Sequence, residues 1–284
     1  QGELSPVKEH GGRRLPMETM LLILSLYLLL GAVAGFFAGM LGIGAGLLMV
    51  PALNEIFHMQ GFATDIALRL ALGTSMAGIV FNSLASMRAH HRYGAVKWDV
   101  VWRISPGIMF GTLAGSQLVR VLATEVLAMI FAVFLVLIAI QMAVNLKPKP
   151  SRALPGALGM GATGGVIGLI MSLIAGGGGV LSVPFLLWCN VDVRRAIGTA
   201  AAIGFPIALS GTVAYLIAGQ GASGLPPWSL GFIYLPALVG VVLTSSVTAR
   251  YGADAAHRLP LRTLRLAFSG LLFLVAGRML LRML

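Results

Sequence analysis

From Val126 to Leu146 the chain reads "VLAMIFAVFLVLIAIQMAVNL", with no charged residue. In lipid, every backbone N–H and C=O of such a segment must be paired within the protein. A helix of about 20 residues meets that demand across a hydrocarbon core of roughly 30 Å. Comparable spans recur at Leu70–Met87, Trp98–Leu118, Ala196–Ala218, Leu230–Thr248 and Leu264–Leu284. Only 10% of residues are charged, against about 25% in soluble domains. The runs are continuous and do not alternate with period two, which excludes a transmembrane barrel. The expected fold is an all-α polytopic membrane protein.

Two further apolar stretches, Met20–Phe57 and Leu154–Cys189, are interrupted by glycine. The first contains "LGIGAGLLMVP" (Leu41–Pro51), the second "IAGGGGVLSVP" (Ile174–Pro184). Aligned on their prolines, the two continue into "LRLALGTS" (Leu68–Ser75) and "VRRAIGTA" (Val193–Ala200). Arg69 then falls on Arg194 and Gly73-Thr74 on Gly198-Thr199; further on, Pro106 falls on Pro236 and Arg120 on Arg250. The chain therefore reads as two copies of one unit, 17–146 and 153–284, joined by a charged linker at 147–152. Residues 1–16 are a polar tail, processed or appended, and are left out of the fold reasoning.

At 1.5 Å per residue the first broken stretch is roughly 57 Å long, too long for one pass. It is either one tilted, broken helix or a helical pair that turns at its glycines, and charge separates the two. Most of the 20 cations lie around Arg88–Arg103, Lys147–Arg152, Arg194-Arg195 and Arg250–Arg265. The positive-inside rule places those regions in the cytoplasm and the uncharged loop Gly219–Trp228 outside. The span ending near Arg88 then exits inward, and its copy ending near Ala218 exits outward. The repeats are inverted, each with an odd number of passes, which favours the paired or re-entrant stretch. Both termini are expected outside, in an inner (plasma) membrane.

Irregular backbone at membrane depth is tolerated only where protein buries it or it lines a polar cavity. A glycine turn there leaves the first N–H groups of the next short helix unpaired. Those groups and the helix dipole attract anions, and glycine lets an anion reach the backbone. Paired broken helices in inverted repeats point to a transporter site near the midplane. Half-helix N-termini are expected at about Ala45 and Gly178. The candidate binding residues are Gly44, Ala45, Gly46, Gly176, Gly177, Gly178 and Gly179, with Thr74, Ser75, Thr199 and the mid-span Asn82 as hydrogen-bond donors. Ser210 and Thr212 are weaker candidates. Arg69 and Arg194, at the mouths of equivalent helices, are candidates for gating or anion attraction. Gly31, Gly35, Gly39 and Gly42 recur at spacings that suit close helix packing.

The doubled "GIGAGLLMVP" and "AGGGGVLSVP", each followed by "ALGTS" or "AIGTA", resemble the TauE/SafE family over nearly the whole chain after Met17. The resemblance implies export of small sulfur-containing anions such as sulfite, sulfoacetate or related organosulfonates. Read without it, the residues reach only a small anion. Ala45 stands where the family commonly has a fuller glycine run.

Other classes fit less well. The net charge of +11 reflects loops between spans, not a nucleic-acid surface, so the expected contacts are the substrate anion and the lipid bilayer. "GIGAGL" lacks the strand and βαβ unit of a dinucleotide loop. No nucleophile–base pair, metal-ligand spacing or phosphate loop points to an enzyme, a metal or a cofactor. No carboxylate sits mid-span, as cation pumps require. Cys189 is the one cysteine and reads as an inert thiol. His90 and His91 read as loop residues. A channel or an uptake permease with the same site remains the alternative to a secondary exporter working by alternating access.

Overall fold

The computed structural model describes residues 17–42, 45–144, 151–258 and 261–283. The 1–16 tail, Gly44 and residues 147–150 of the linker lie outside the described residues. In chain order the elements are α1 (Met17–Leu41), α2 (Gly46–Met59), α3 (Thr64–Arg92), α4 (Trp98–Val121), α5 (Thr124–Val144), α6 (Ala157–Leu173), α7 (Gly179–Trp188), α8 (Val193–Ala218), β1 (Ser229–Leu230), β2 (Ile233–Tyr234), α9 (Leu235–Arg258) and α10 (Leu261–Met283). The protein is an all-α, multi-pass membrane protein. Helices α1, α3, α5 and α8 are long and apolar enough to cross a bilayer. Helices α4 and α9 have the length, 24 residues each, but carry Asp99, Arg103 and Arg120, and Arg250, Asp254 and Arg258, respectively. Phe110, Leu137, Leu243 and Leu274 point outward and exposed, which suits a surface solvated by lipid.

Each glycine-broken stretch forms a helical pair. Gln60, just past α2, donates its amide to the Tyr27 hydroxyl of α1 at 2.6 Å, so α2 returns along α1. Likewise the Trp188 carbonyl at the end of α7 accepts the Ser151 N–H at 3.2 Å, ahead of α6. The Trp188 indole N–H also donates to Ser151 Oγ at 2.7 Å. The apolar helices thus reverse at the glycines, the arrangement that the charge pattern favours.

The two most extensive helix contacts are α1 with α9 and α4 with α6. Both are seams of small residues. Along α1, Gly31 meets Val241 and Thr244, Gly35 meets Ser245, and Gly39 meets Ala249. Along α4, Gly107 meets Gly161, Gly111 meets Gly165, and Gly115 meets Leu169 and Ser172. Both registers rise together, so each seam is parallel. A threonine hydroxyl crosses each one: Thr244 to the Leu28 carbonyl at 2.7 Å and Thr112 to the Gly168 carbonyl at 3.3 Å. Lipid supplies no hydrophobic drive between helices, so close backbone approach and hydrogen bonds hold these pairs together. The packing expectation for Gly31, Gly35 and Gly39 is met; Gly42 serves the turn instead. Helices α3 and α8 cross antiparallel at the centre, with Met76 against Gly211 and Ser83 against Gly204.

Three details depart from the sequence reading. Ser229–Tyr234 makes a two-stranded hairpin, in the register Ser229↔Tyr234 and Leu230↔Ile233, so the apolar Leu230 precedes α9 and does not begin it. The turn at Gly231 and Pro236, which suits the first turn of a helix, set that boundary. His90 and His91 lie in the last turn of α3, and His90 is buried with Nε2 3.1 Å from the Gly39 carbonyl oxygen. Finally, matched contacts across the halves pair Lys97 with Tyr234. Pro106 and Pro236 are therefore offset by about two helical turns and are not equivalent.

Candidate functional site

The two breaks share their geometry. Gly42 ends α1 with φ +66°, its N–H donating to the Ala38 carbonyl at 2.9 Å. Its counterpart, counted back from the shared proline, is Ala175, with φ +43°. Glycine enters this left-handed region freely, whereas alanine is held there at a cost of roughly 1–2 kcal/mol. The second turn is therefore the strained one, held by its surroundings.

Helix α2 begins at Gly46 with Ala45 as N-cap, and α7 at Gly179 with Gly178 as N-cap. Neither N-cap supplies a side-chain hydrogen bond. Gly46 and Leu47, and Gly179 and Val180, are buried. A helix leaves its first N–H groups without intrahelical partners, and burial withholds water from them. Helix α8 is treated differently at the surface: the Asp192 carboxylate accepts the N–H groups of Arg194 and Arg195 at 3.0 and 3.4 Å.

The two breaks touch. A Cβ on Gly46 would overlap the Ala175 carbonyl oxygen and lie 3.0 Å from Ile79 Cδ1 of α3. A Cβ on Gly178 would strike the Ala200 carbonyl and the Gly204 N–H of α8. Gly42 faces the Ile197 carbonyl, and Gly176 packs against Met171 and Ile174. Gly177 is buried among them. Close backbone approach thus requires glycine at positions 46 and 178 whether or not an anion is bound.

The crossing helices add polar groups. Asn82, 1% exposed, leaves both its amide oxygen and its amide nitrogen without a partner. It lies one turn beyond Ile79, which faces Gly46. The buried hydroxyls of Ser75 and Ser86 are likewise unpartnered. Spacings of seven and four put Ser75, Asn82 and Ser86 on one face of α3. Ser182, one turn into α7, has a buried unpartnered hydroxyl as well. Ser86 and Ser182 were missed in the sequence; their signal was a helical spacing from Asn82 and from Gly178.

Other candidates stand elsewhere. The Thr74 hydroxyl accepts the Tyr234 N–H at 2.9 Å, and the Thr199 hydroxyl accepts the Lys97 N–H at 3.0 Å. Both therefore hold loops of the opposite half. Ser210 and Thr212 bond back to the Pro206 and Ala208 carbonyls at 2.6 Å. The two terminal guanidinium nitrogens of Arg69 donate to carbonyls, of Leu122 at 3.1 Å and Asp65 at 3.4 Å, while its Nε is buried without a partner. Arg194 is exposed and lines an open cavity of about 510 Å³ with Arg195, Arg258, Asp192, Tyr93, Gly94 and Ala95.

The sulfite exporter TauE/SafE family profile matches residues 27–279. A probable membrane transporter protein of Haemophilus influenzae is 35% identical over 268 residues, covering 93% of this chain and all of that one. Another of Methanocaldococcus jannaschii is 24% identical, covering 89% of this chain and 93% of its own. The Bacillus subtilis probable membrane transporter protein YdhB is 25% identical, covering 85% and 91%. No solved structure matches. The family profile and these relatives show that the chain is a membrane transporter, not an enzyme, and that it belongs to the TauE/SafE family.

Proposed function

We propose that this protein is a secondary transporter that exports a small sulfur-containing oxyanion, sulfite or an organosulfonate, across the inner membrane. The anion binds where the N-termini of α2 and α7 meet, and the two halves rock about that point. The observation that carries this reading is a pair of buried, uncapped helix N-termini, α2 seated at Gly46 against the Ala175 turn that leads into α7, with the unpartnered Asn82 amide one turn along α3 from the Ile79 that faces Gly46. Each terminus presents about half a positive charge. An oxyanion supplies several acceptors to both termini and to the amide of Asn82, whereas among the described residues of the breaks a cation finds no carboxylate. Sulfur enters through the name of the family, which is that of a sulfite exporter.

Among the described residues, the units at 17–146 and 153–284 each contain five helices in the same order. An odd number of reversing helices inverts the second unit, an arrangement in which many transporters work by alternating access around a fixed site. Lys97, Arg152, Arg194, Arg195 and Arg258 border cavities at the 93–97 and 189–195 loops, which supports placing that end in the cytoplasm. The termini then lie outside.

A thermal-shift series on the purified protein with sulfite, sulfoacetate, taurine, sulfate and chloride tests the site. A bound anion raises the melting temperature once its concentration exceeds Kd. Sulfite or sulfoacetate is expected to stabilise more than chloride at equal ionic strength, and to show counterflow in proteoliposomes. Equal, small shifts for all the anions would refute the site; saturating binding without counterflow would refute the carrier.

A further inference from the structure

The repeated "GT" in "ALGTS" and "AIGTA" has a geometric counterpart that the anion site does not use. In α3, Gly73 receives the Phe232 carbonyl against its backbone, and Thr74 accepts the Tyr234 N–H at 2.9 Å. In α8, Gly198 receives the Ala95 carbonyl, and Thr199 accepts the Lys97 N–H at 3.0 Å. Both donors directly precede a long helix, Leu235 of α9 and Trp98 of α4. Both threonines are fully buried. Each pair therefore fastens a helix of one half to a connecting loop of the other, and the two fastenings lie at opposite ends of the antiparallel α3–α8 crossing.

We propose that Gly73-Thr74 and Gly198-Thr199 are the latches of two gates, one on each side of the membrane, released alternately during transport. This rests on the alternating-access reading above. The turn of α8 that holds one latch also holds the breaks: Ile197 faces Gly42 and Ala200 faces Gly178. A shift of this turn therefore moves the loop and the site together. The loop it fastens, with Tyr93, Gly94 and Ala95, forms part of the wall of the cavity that carries Arg194, Arg195 and Arg258. An anion gathered by those arginines stands on one side of the loop, and the turn carrying the glycine contacts is on the other. Release of Lys97 from Thr199 opens a way from that cavity toward the breaks. At the opposite end, the uncharged Gly219–Trp228 loop and its hairpin are held by Thr74 in the same manner. Each latch is one hydrogen bond within a sterically fitted notch. Glycine makes the notch, because a Cβ at either position would meet the loop carbonyl.

Side-specific accessibility tests this. The reporter is Ser83→Cys in a Cys189→Ser background; Ser83 is 7% exposed at the crossing, beside Gly204. A membrane-impermeant maleimide is added to one face of oriented proteoliposomes. Thr199→Val is expected to raise the labelling rate about tenfold from the face bearing the 93–97 loop only, and Thr74→Val from the other face only. Thr199→Ser keeps the hydroxyl and should restore the slow rate. Lys97→Pro removes the donor of the same bond at the N-cap of α4, whose N–H makes no intrahelical bond, so it should reproduce Thr199→Val and covers the case in which that variant misfolds. Unchanged rates, or a rise from both faces alike, would overturn the proposal. No substrate is present, so this result stands apart from whether sulfur anions bind.

Discussion

Replacing Gly46 by alanine adds one methyl group where the two breaks meet. The new carbon would overlap the Ala175 carbonyl oxygen, which belongs to a strained left-handed turn and cannot swing aside like a side chain. The breaks must therefore separate. Overpacking of this kind costs roughly 1–3 kcal/mol, against a gain of at most about 1 kcal/mol from replacing glycine in a helix. The net loss is about 1–2 kcal/mol, and at about 2–4 °C per kcal/mol for a chain of this size the melting temperature should fall by several degrees. Gly161→Ala is the control. It sits inside α6 with no atom within 4 Å of the added carbon, so the same substitution should be neutral or raise the melting temperature. Retreat of the α2 N-terminus removes a dipole contribution of about 0.3–2 kcal/mol, or about 2- to 30-fold in Kd for sulfite. Thermal unfolding in detergent, with and without sulfite, reads both effects. If Gly46→Ala melted at or above the wild-type temperature and bound sulfite equally well, the contact between the breaks would be refuted, and with it the convergence of the two helix N-termini.

Asn82→Ala separates stability from binding: a buried amide without partners costs roughly 1–3 kcal/mol, so its removal should leave the melting temperature unchanged or higher while sulfite affinity falls about tenfold. A parallel loss of both would make Asn82 a structural residue. Cys189 lies in the loop after α7, where burial pushes its thiol above the usual cysteine value, with Arg152 opposing that shift in part. Its thiolate fraction at neutral pH is therefore below that of a free cysteine, and maleimide labelling should be slow and should accelerate as pH rises through the raised value. Labelling as fast as that of free cysteine at pH 7 would contradict that environment.

The broken stretches show how far sequence reasoning reached. Glycine spacing from Pro51 and Pro184 located both half-helix starts, because a glycine run is a local conformational signal and the shared proline sets the register. The same spacing did not reveal that Ala175 would adopt the conformation of Gly42, since a left-handed alanine is imposed by its surroundings. Asn82 stood out as a polar residue in an apolar span. Ser86 and Ser182 did not, because serine is common in membrane helices and only packing shows whether its hydroxyl is bonded. Arg69 illustrates the converse: its place at a helix mouth suggested anion attraction, but the α4–α5 loop brings the Leu122 carbonyl to it.

The sequence by itself determined the solvent, the helical class and the two-fold repetition, and it favoured a reversal at each glycine break. All of these follow from local properties: unbroken apolarity, the hydrogen-bond demand of lipid, and the placement of cations between spans. Tertiary structure decided what the repeated residues do. In the sequence Thr74 and Thr199 read as candidate hydrogen-bond donors to an anion. They instead hold Tyr234 and Lys97, residues 160 and 102 positions away. A hydroxyl carries no record in the sequence of which backbone N–H will reach it, because that partner arrives only when the two halves fold against each other.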